Sequence, residues 1–185
     1  MITDFQCNTV CFSALLQGFA PVTYANMISV LDRYGIGYRL LPHTNDVWCR
    51  DYMPVQVTDG VFRGFTYNPD YLQVSEELLA TRTDGNVVCS EMGFEVKMLQ
   101  QHFSDVYKLE YNVQKQHKYN WAYINWLQTD KVLMIPAFGC PEDEQAFDQI
   151  VSFMPMYKDR IEMVPATDLV RHEGCLNCAS WTVRV

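Results

Sequence analysis

The sequence predicts an α/β domain assembled from at least two similar strand-helix-strand units. Three observations carry that expectation. Apolar Tyr24, Met27, Ile28, Leu31 and Tyr34 recur at helical spacing between two β-prone runs. A second helix-like stretch, 141–153, lies between two more β-prone runs. Alternating segments also flank a Thr58-Asp59-Gly60 turn, the pattern of a hairpin.

Taken in order, residues 8–16 (NTVCFSALL) form the first β-prone run. Pro21 opens the helix that follows and Gly35 closes it. Proline's missing N–H is harmless in a first helical turn, and glycine accepts the left-handed backbone that ends one. Residues 38–41 read as the second strand. After a polar loop over 43–46, residues 52–58 and 61–66 read as the hairpin. A less decided middle follows, with helix-like segments near 74–80 and 94–103 and a strand near 106–112. Residues 121–128 and 131–137 read as strands around Thr129-Asp130. Residues 141–153 then read as a helix whose first turn carries Glu142, Asp143 and Glu144, where the macrodipole favours them. Residues 160–164 and 176–183 read as the last two strands. The whole chain, 1–185, is expected to be one domain: a first unit over about 8–68, a middle over 69–118 and a last unit over 119–185.

Composition narrows the classes of function. The chain has 185 residues, with 49% hydrophobic, 14% aromatic and 19% charged, which suits one ordinary core. A net charge of −8 and a pI near 4.9 argue against a polyanionic partner, because nucleic acid is bound through basic patches. An acidic surface suits a cationic small molecule or simple solubility. No apolar run approaches a membrane span, and Met1-Ile2-Thr3-Asp4 does not resemble a secretory leader. Seven cysteines at irregular spacing fit free thiols in a reducing cytoplasm better than a disulfide framework.

Two short stretches carry the chemistry. HEGCLNCASW (172–181) holds Cys175 and Cys178 at C-x-x-C spacing, which leaves open a redox pair, half of a zinc site completed by Cys7 and Cys11, or one nucleophile with a bystander. NDVWCRDYMP (45–54) packs Trp48, Arg50 and Asp51 beside a strand, where side chains can be aimed into a shared cavity. By charge alone, Arg50 and Asp51 could equally be a surface pair worth little.

Together with NWAYINWLQTDKVLMIPAFGCPEDEQAFDQI and RIEMVPATDLVRHEGCLNCASWTV, these stretches resemble, in order and spacing, the agmatine deiminase and bacterial peptidylarginine deiminase family of the guanidine-modifying pentein superfamily. That family carries W-x-R-D-x-x-P early, then Y-x-N-F and P-x-F-G-x-x-x-D segments, and a late G-G-x-x-H/N-C motif. The resemblance implies a shortened pentein-type (α/β-propeller) domain. It makes Cys178 the nucleophile and Asp51 the carboxylate that holds the substrate guanidinium, with Trp48 lining that group, Arg50 beside it in the binding set and Cys175 a bystander. It implies no cofactor and no metal.

The family's Gly-His-x-Asp segment has no counterpart here. His43, on the loop before Trp48, is the replacement that location favours for its acid-base histidine; His102, His117 and His172 are the others. Two functions follow as expectations. The first is a guanidine-directed hydrolase that releases ammonia and leaves a ureido product. The second is an impaired remnant that binds a guanidinium or a protein partner. The partner implied is a small cationic guanidino substrate or an arginine side chain, with no nucleic acid and no membrane. Uncovered sheet edges also suggest a homo-oligomer.

Overall fold

Strand β1 (Thr9–Ser13) is buried along its whole length and forms the centre of a three-stranded sheet. The computed structural model describes residues 1–64, 107, 109–113 and 118–185. On one side β1 pairs in parallel with β2 (Gly37–Leu41), with Phe12 opposite Leu40. On the other it pairs antiparallel with β8 (Trp181–Val183), with Val10 opposite Thr182. A parallel neighbour requires a crossover. Here it is the turn of helix α1 (Leu16–Phe19) and the longer α2 (Pro21–Tyr34).

Helix α2 starts and stops where local chemistry dictates. Pro21 occupies its first turn, and Gly35 (φ 60°) leaves it in left-handed backbone while donating to the Asp32 and Leu31 carbonyls. Thr23, Met27, Val30 and Leu31 form its buried face. Its N-cap is Ala20, which has no side-chain acceptor. The open N–H groups of Val22 and Thr23 instead donate to Asp168 Oδ2, at 2.9 and 3.3 Å, from α5 (Thr167–Val170).

The second sheet repeats the first. Strand β6 (Leu133–Ala137) is its centre, β5 (Leu127–Gln128) its antiparallel edge and β7 (Ile161–Pro165) its parallel edge, with α4 (Glu142–Phe153) as the crossover. The source of the antiparallel edge differs. In this sheet β5 directly precedes the centre, whereas in the first sheet β8 comes from the far end of the chain. That exchange carries residues 172–180 back to the start of the molecule. Helix α2 packs on β7, and Arg33 and Tyr34 both donate to Glu162 (2.8 and 2.9 Å).

A hairpin, β3 (Val55–Thr58) and β4 (Val61–Arg63), turns at Gly60 (φ 72°) and docks beside β8. Buried Gln56 serves as a strand partner there. Its amide donates to the Arg184 carbonyl (3.0 Å) and accepts the Arg184 N–H (2.8 Å), while Trp181 Nε1 donates to the Pro54 carbonyl (2.8 Å).

Three strand expectations need correction. Tyr52 belongs to a helical turn, α3 (Cys49–Tyr52), so the hairpin starts later. Asn120–Ile124 is a 3-10 helix, which leaves only Leu127–Gln128 as strand. Residues 176–180 form a turn, because their backbone donors go to Asn125, Cys175 and Asn177 rather than to a neighbouring strand. The segments expected near 74–80 and 94–103 lie outside the described residues. Of 106–112, the described residues join no strand: Glu110 and Asn112 donate their N–H groups to Gln149 and Gln145 of α4 (2.8 and 2.6 Å). Among the described residues no helix is long and apolar enough to cross a membrane.

Candidate active site

The turn before β8 holds the two thiols of the C-x-x-C stretch in unlike surroundings. Cys175 is fully buried, and burial pushes its thiol up to about 12. Cys178 is only half-buried. The turn is closed by Ala179 N–H to the Cys175 carbonyl (3.1 Å) and Ser180 N–H to the Asn177 carbonyl (3.2 Å). Both thiols are free. Among the described residues no group of three or more His, Cys, Asp or Glu could hold a metal ion.

Asn125, two residues ahead of β5, fixes this turn. Its Oδ1 accepts the N–H groups of Asn177 (2.9 Å) and Cys178 (3.3 Å), and its Nδ2 donates to Cys178 Sγ (3.1 Å). Its own carbonyl accepts Asn177 N–H as well (3.2 Å). Asn125 is in turn supported from the β6–α4 loop. The buried Asp143 carboxylate accepts the N–H groups of Phe138, Gly139 and Cys140 and the hydroxyl of Tyr123 (2.5 Å), two residues before Asn125. Burial, and then that bond to Asp143, push the Tyr123 phenol far up, so it stays a donor.

The second chemistry-bearing stretch reaches the same turn. Buried Asp46 accepts the N–H groups of Val47 (2.6 Å) and Trp48 (3.3 Å) on Oδ1, a side-chain turn that launches α3. The Tyr52 hydroxyl, 3.2 Å from Cys49 Sγ, donates back to the Asp46 carbonyl (3.1 Å). From α3 the Arg50 N–H donates to the Cys178 carbonyl at 3.0 Å. The W-C-R-D segment and the C-x-x-C turn are thus one substructure.

Trp48 lies against the same turn. A Cβ at Gly174 would fall 2.4 Å from its ring, so only glycine permits that contact. Phe19 meets the Trp48 ring edge-on (6.0 Å between centroids), and the exposed His172 ring lies on Phe19 (4.3 Å). Asp51 reaches solvent from α3. Partial desolvation and then the Asp46 carboxylate push its pKa up, and the Arg50 cation pulls it down. Arg50 itself is turned to the N-terminal segment, with Nη1 3.1 Å from Asp4 Oδ1.

The other expected residues are placed less tightly. His43 is exposed just after β2, in left-handed backbone (φ 57°), and among the described residues no hydrogen bond joins it to Cys178. His102 and His117 lie outside the described residues. Asn125 was given no role from the sequence, although the stretch Tyr123-Ile124-Asn125-Trp126 carries the Y-x-N-aromatic pattern that could have signalled it. A groove of about 410 Å³, lined by Glu110, Tyr111, Asn112, Gln145, Asp148 and Gln149, runs along α4 and contains none of these groups.

Comparison with known proteins adds the following. The sequence model of the Porphyromonas-type peptidyl-arginine deiminase family matches residues 86–183, more than half of the chain. The match includes Asn125 and Cys178 and leaves out His43, Trp48, Arg50 and Asp51. No curated protein matches. Among solved structures, C. jejuni agmatine deiminase aligns over 97% of this chain and 38% of its own at 14% identity, with a TM-score of 0.30. A proposed agmatine deiminase aligns over 96% and 54% at 13% identity, with a TM-score of 0.32. A proposed peptidyl-arginine deiminase aligns over 34% and 18% at 21% identity, with a TM-score of 0.31. The chain therefore spans from under a fifth to about half of the length of these structures.

Proposed function

The chain belongs to the Porphyromonas-type peptidyl-arginine deiminase family, and from that premise we propose that it hydrolyses a guanidino group with Cys178 as nucleophile. The observation that carries this reading is the 3.0 Å bond from Arg50 N–H to the Cys178 carbonyl. It brings Asp51 and Trp48 to the turn of the one half-open thiol in the C-x-x-C stretch.

The chemistry follows from the groups present. A guanidinium carbon is a weak electrophile, so a sulfur nucleophile suits it. Asp51 accepts paired N–H bonds from the guanidinium and fixes its plane, and Trp48 covers its face. Cys178 Sγ bonds to the guanidinium carbon while the Asn125 amide orients the sulfur. One C–N bond then breaks, and ammonia leaves with a proton from a general acid, the role assigned to His43. Water adds to the resulting thiouronium, the C–S bond breaks, and a ureido product and the free thiol remain. The substrate is a small guanidino compound or an arginine side chain, with no cofactor in the cycle.

A second reading is favoured by one observation. The side chain hydrogen-bonded to Cys178 Sγ is an amide, which orients the sulfur but neither gives up nor takes up a proton at neutral pH, and His43 stands exposed on its loop. On that reading the chain is an impaired relative that binds a guanidinium or a protein partner. A propeller-like arrangement, cytoplasmic residence and self-association belong to the proposal. The two sheets share one pairing pattern, a central strand with one parallel and one antiparallel neighbour, which is consistent with the first. The exposed Tyr38 and Leu40 on β2 offer an edge for the last.

Incubation with agmatine, free arginine and an arginine-terminated peptide, read by ammonia release and a ureido colour reaction, separates the readings. Turnover in the wild type that is absent in Cys178→Ala supports the hydrolase. Binding without turnover supports the second reading.

A further inference from the structure

Asp143 is a buried carboxylate that accepts hydrogen bonds from two separate elements. The Phe138, Gly139 and Cys140 N–H groups reach it from the β6–α4 loop, at 3.0, 2.7 and 3.2 Å. The Tyr123 hydroxyl reaches it at 2.5 Å from the 3-10 helix Asn120–Ile124. The bonds from the loop organise the entry to α4 and need nothing from outside it. The phenol is the informative donor, because phenylalanine would fill the same space without a hydroxyl to desolvate.

The short path from Tyr123 to Cys178 gives that hydroxyl a use. Tyr123 is fully buried, Ile124 faces solvent (66% exposed), and Asn125 bonds the sulfur of Cys178. The Asn125 N–H donates to the Ala122 carbonyl (2.9 Å), which keeps these residues in one tight turn. The Phe138 and Tyr111 rings, 5.1 and 5.9 Å from the Tyr123 ring, hold it by contacts that have no preferred depth. The bond to Asp143 is directional and fixes how far the ring enters the core.

From this we propose that Asp143 is a positioning residue for the reaction: through the Tyr123 hydroxyl it sets where the Asn125 amide stands against Cys178 Sγ. The inference rests on the reading of Cys178 as nucleophile given above. A site group must be held within about 0.5 Å of its working position, by neighbours that are themselves locked by packing and hydrogen bonds. An N–H donated to sulfur favours the thiolate, which is the form that attacks. Asp143 acts on that sulfur through Tyr123 and Asn125, and both links are side-chain bonds that a substitution can cut singly.

The test reads Cys178 in the resting protein and needs no turnover, so its failure is distinct from an absence of deiminase activity. The rate of iodoacetamide alkylation of Cys178 is followed at pH 8 by peptide mapping, beside Tm, in single and double variants. Tyr123→Phe keeps the ring and cuts only the bond to Asp143, and it slows alkylation about threefold or more. Asp143→Asn slows it at least as much. In an Asn125→Ala background, where the amide is already gone, adding Tyr123→Phe still lowers Tm but leaves the Cys178 rate unchanged. A bond that serves stability alone would lower Tm in both backgrounds and leave the rate alone in both. An unchanged or faster rate in Tyr123→Phe, or an equal slowing with and without Asn125, overturns the proposal. The Tyr123→Phe pair decides the matter if Asp143→Asn does not fold.

Discussion

Asn125 Nδ2 lies 3.1 Å from Cys178 Sγ while Asn125 Oδ1 accepts the N–H of the same cysteine at 3.3 Å. One amide thus holds both the backbone and the sulfur of Cys178, and its two ends cannot be exchanged. Asn125→Ala removes these side-chain bonds and leaves the Cys178 N–H open, while the Asn177 N–H keeps its bond to the backbone carbonyl of residue 125. The expected loss of stability is about 1 to 3 kcal/mol. Asn125→Asp keeps the acceptor and replaces the donor with a negative charge beside the sulfur. It is expected to slow alkylation of Cys178 more than it lowers Tm. Thermal melts and iodoacetamide kinetics measured on both variants check this.

The two thiols of the C-x-x-C stretch are expected to react unequally. Cys175 is buried with a thiol near 12, so at pH 8 only about one molecule in 10⁴ carries its thiolate. Cys178 is half-open. Limited alkylation of the folded protein followed by peptide mapping should label Cys178 and leave Cys175 unmodified until the protein is denatured. Equal labelling in the folded state contradicts the described turn.

Gly174 is expected to tolerate no side chain. Its φ is unremarkable, so the restriction is steric: a methyl would meet the Trp48 ring at 2.4 Å. Gly174→Ala should cost about 1 to 3 kcal/mol as the ring or the turn gives way. Near-ultraviolet circular dichroism, which senses the packing of aromatic rings, should change with it. Trp48→Ala vacates the space, so adding Gly174→Ala to that variant should cost much less.

Asp51 gives a pH-dependent effect whose sign can be worked out. Its folded pKa lies above that of the unfolded chain, because burial and Asp46 outweigh Arg50. Stability therefore falls as pH rises from the ordinary carboxylate value through the folded one, and the loss is complete above it. Asp51→Asn should melt higher than wild type at pH 7, with the difference vanishing below about pH 3.5. Asp51 is solvent-exposed, so the gain is small. A lower Tm for Asp51→Asn at pH 7 means that the carboxylate is stabilising and contradicts this sign.

Local chemistry made some of this legible. Pro21 and Gly35 mark α2 to the residue, since each acts within its own turn. The strands β1, β2, β6 and β7 follow their apolar runs. What escaped depends on contacts between distant segments. Residues 176–180 look like the start of a strand, but Asn125 takes two of their donors and folds them into a turn. Asp168 caps a helix through the N–H of Val22, 146 residues earlier, so no local pattern could announce it. Cys178, Trp48, Arg50 and Asp51 could be named from motif resemblance. The bond between Arg50 and Cys178 that joins them required the fold.

The nucleophile assignment is tested most directly by trapping. Wild-type protein is incubated with arginine, agmatine or an arginine-terminated peptide, quenched in acid and mapped by mass spectrometry. The expected result is an adduct on Cys178 alone, with the mass of the guanidino compound less ammonia, absent from Cys178→Ala. No adduct on Cys178, together with equal ammonia release from the wild type and Cys178→Ala, contradicts it.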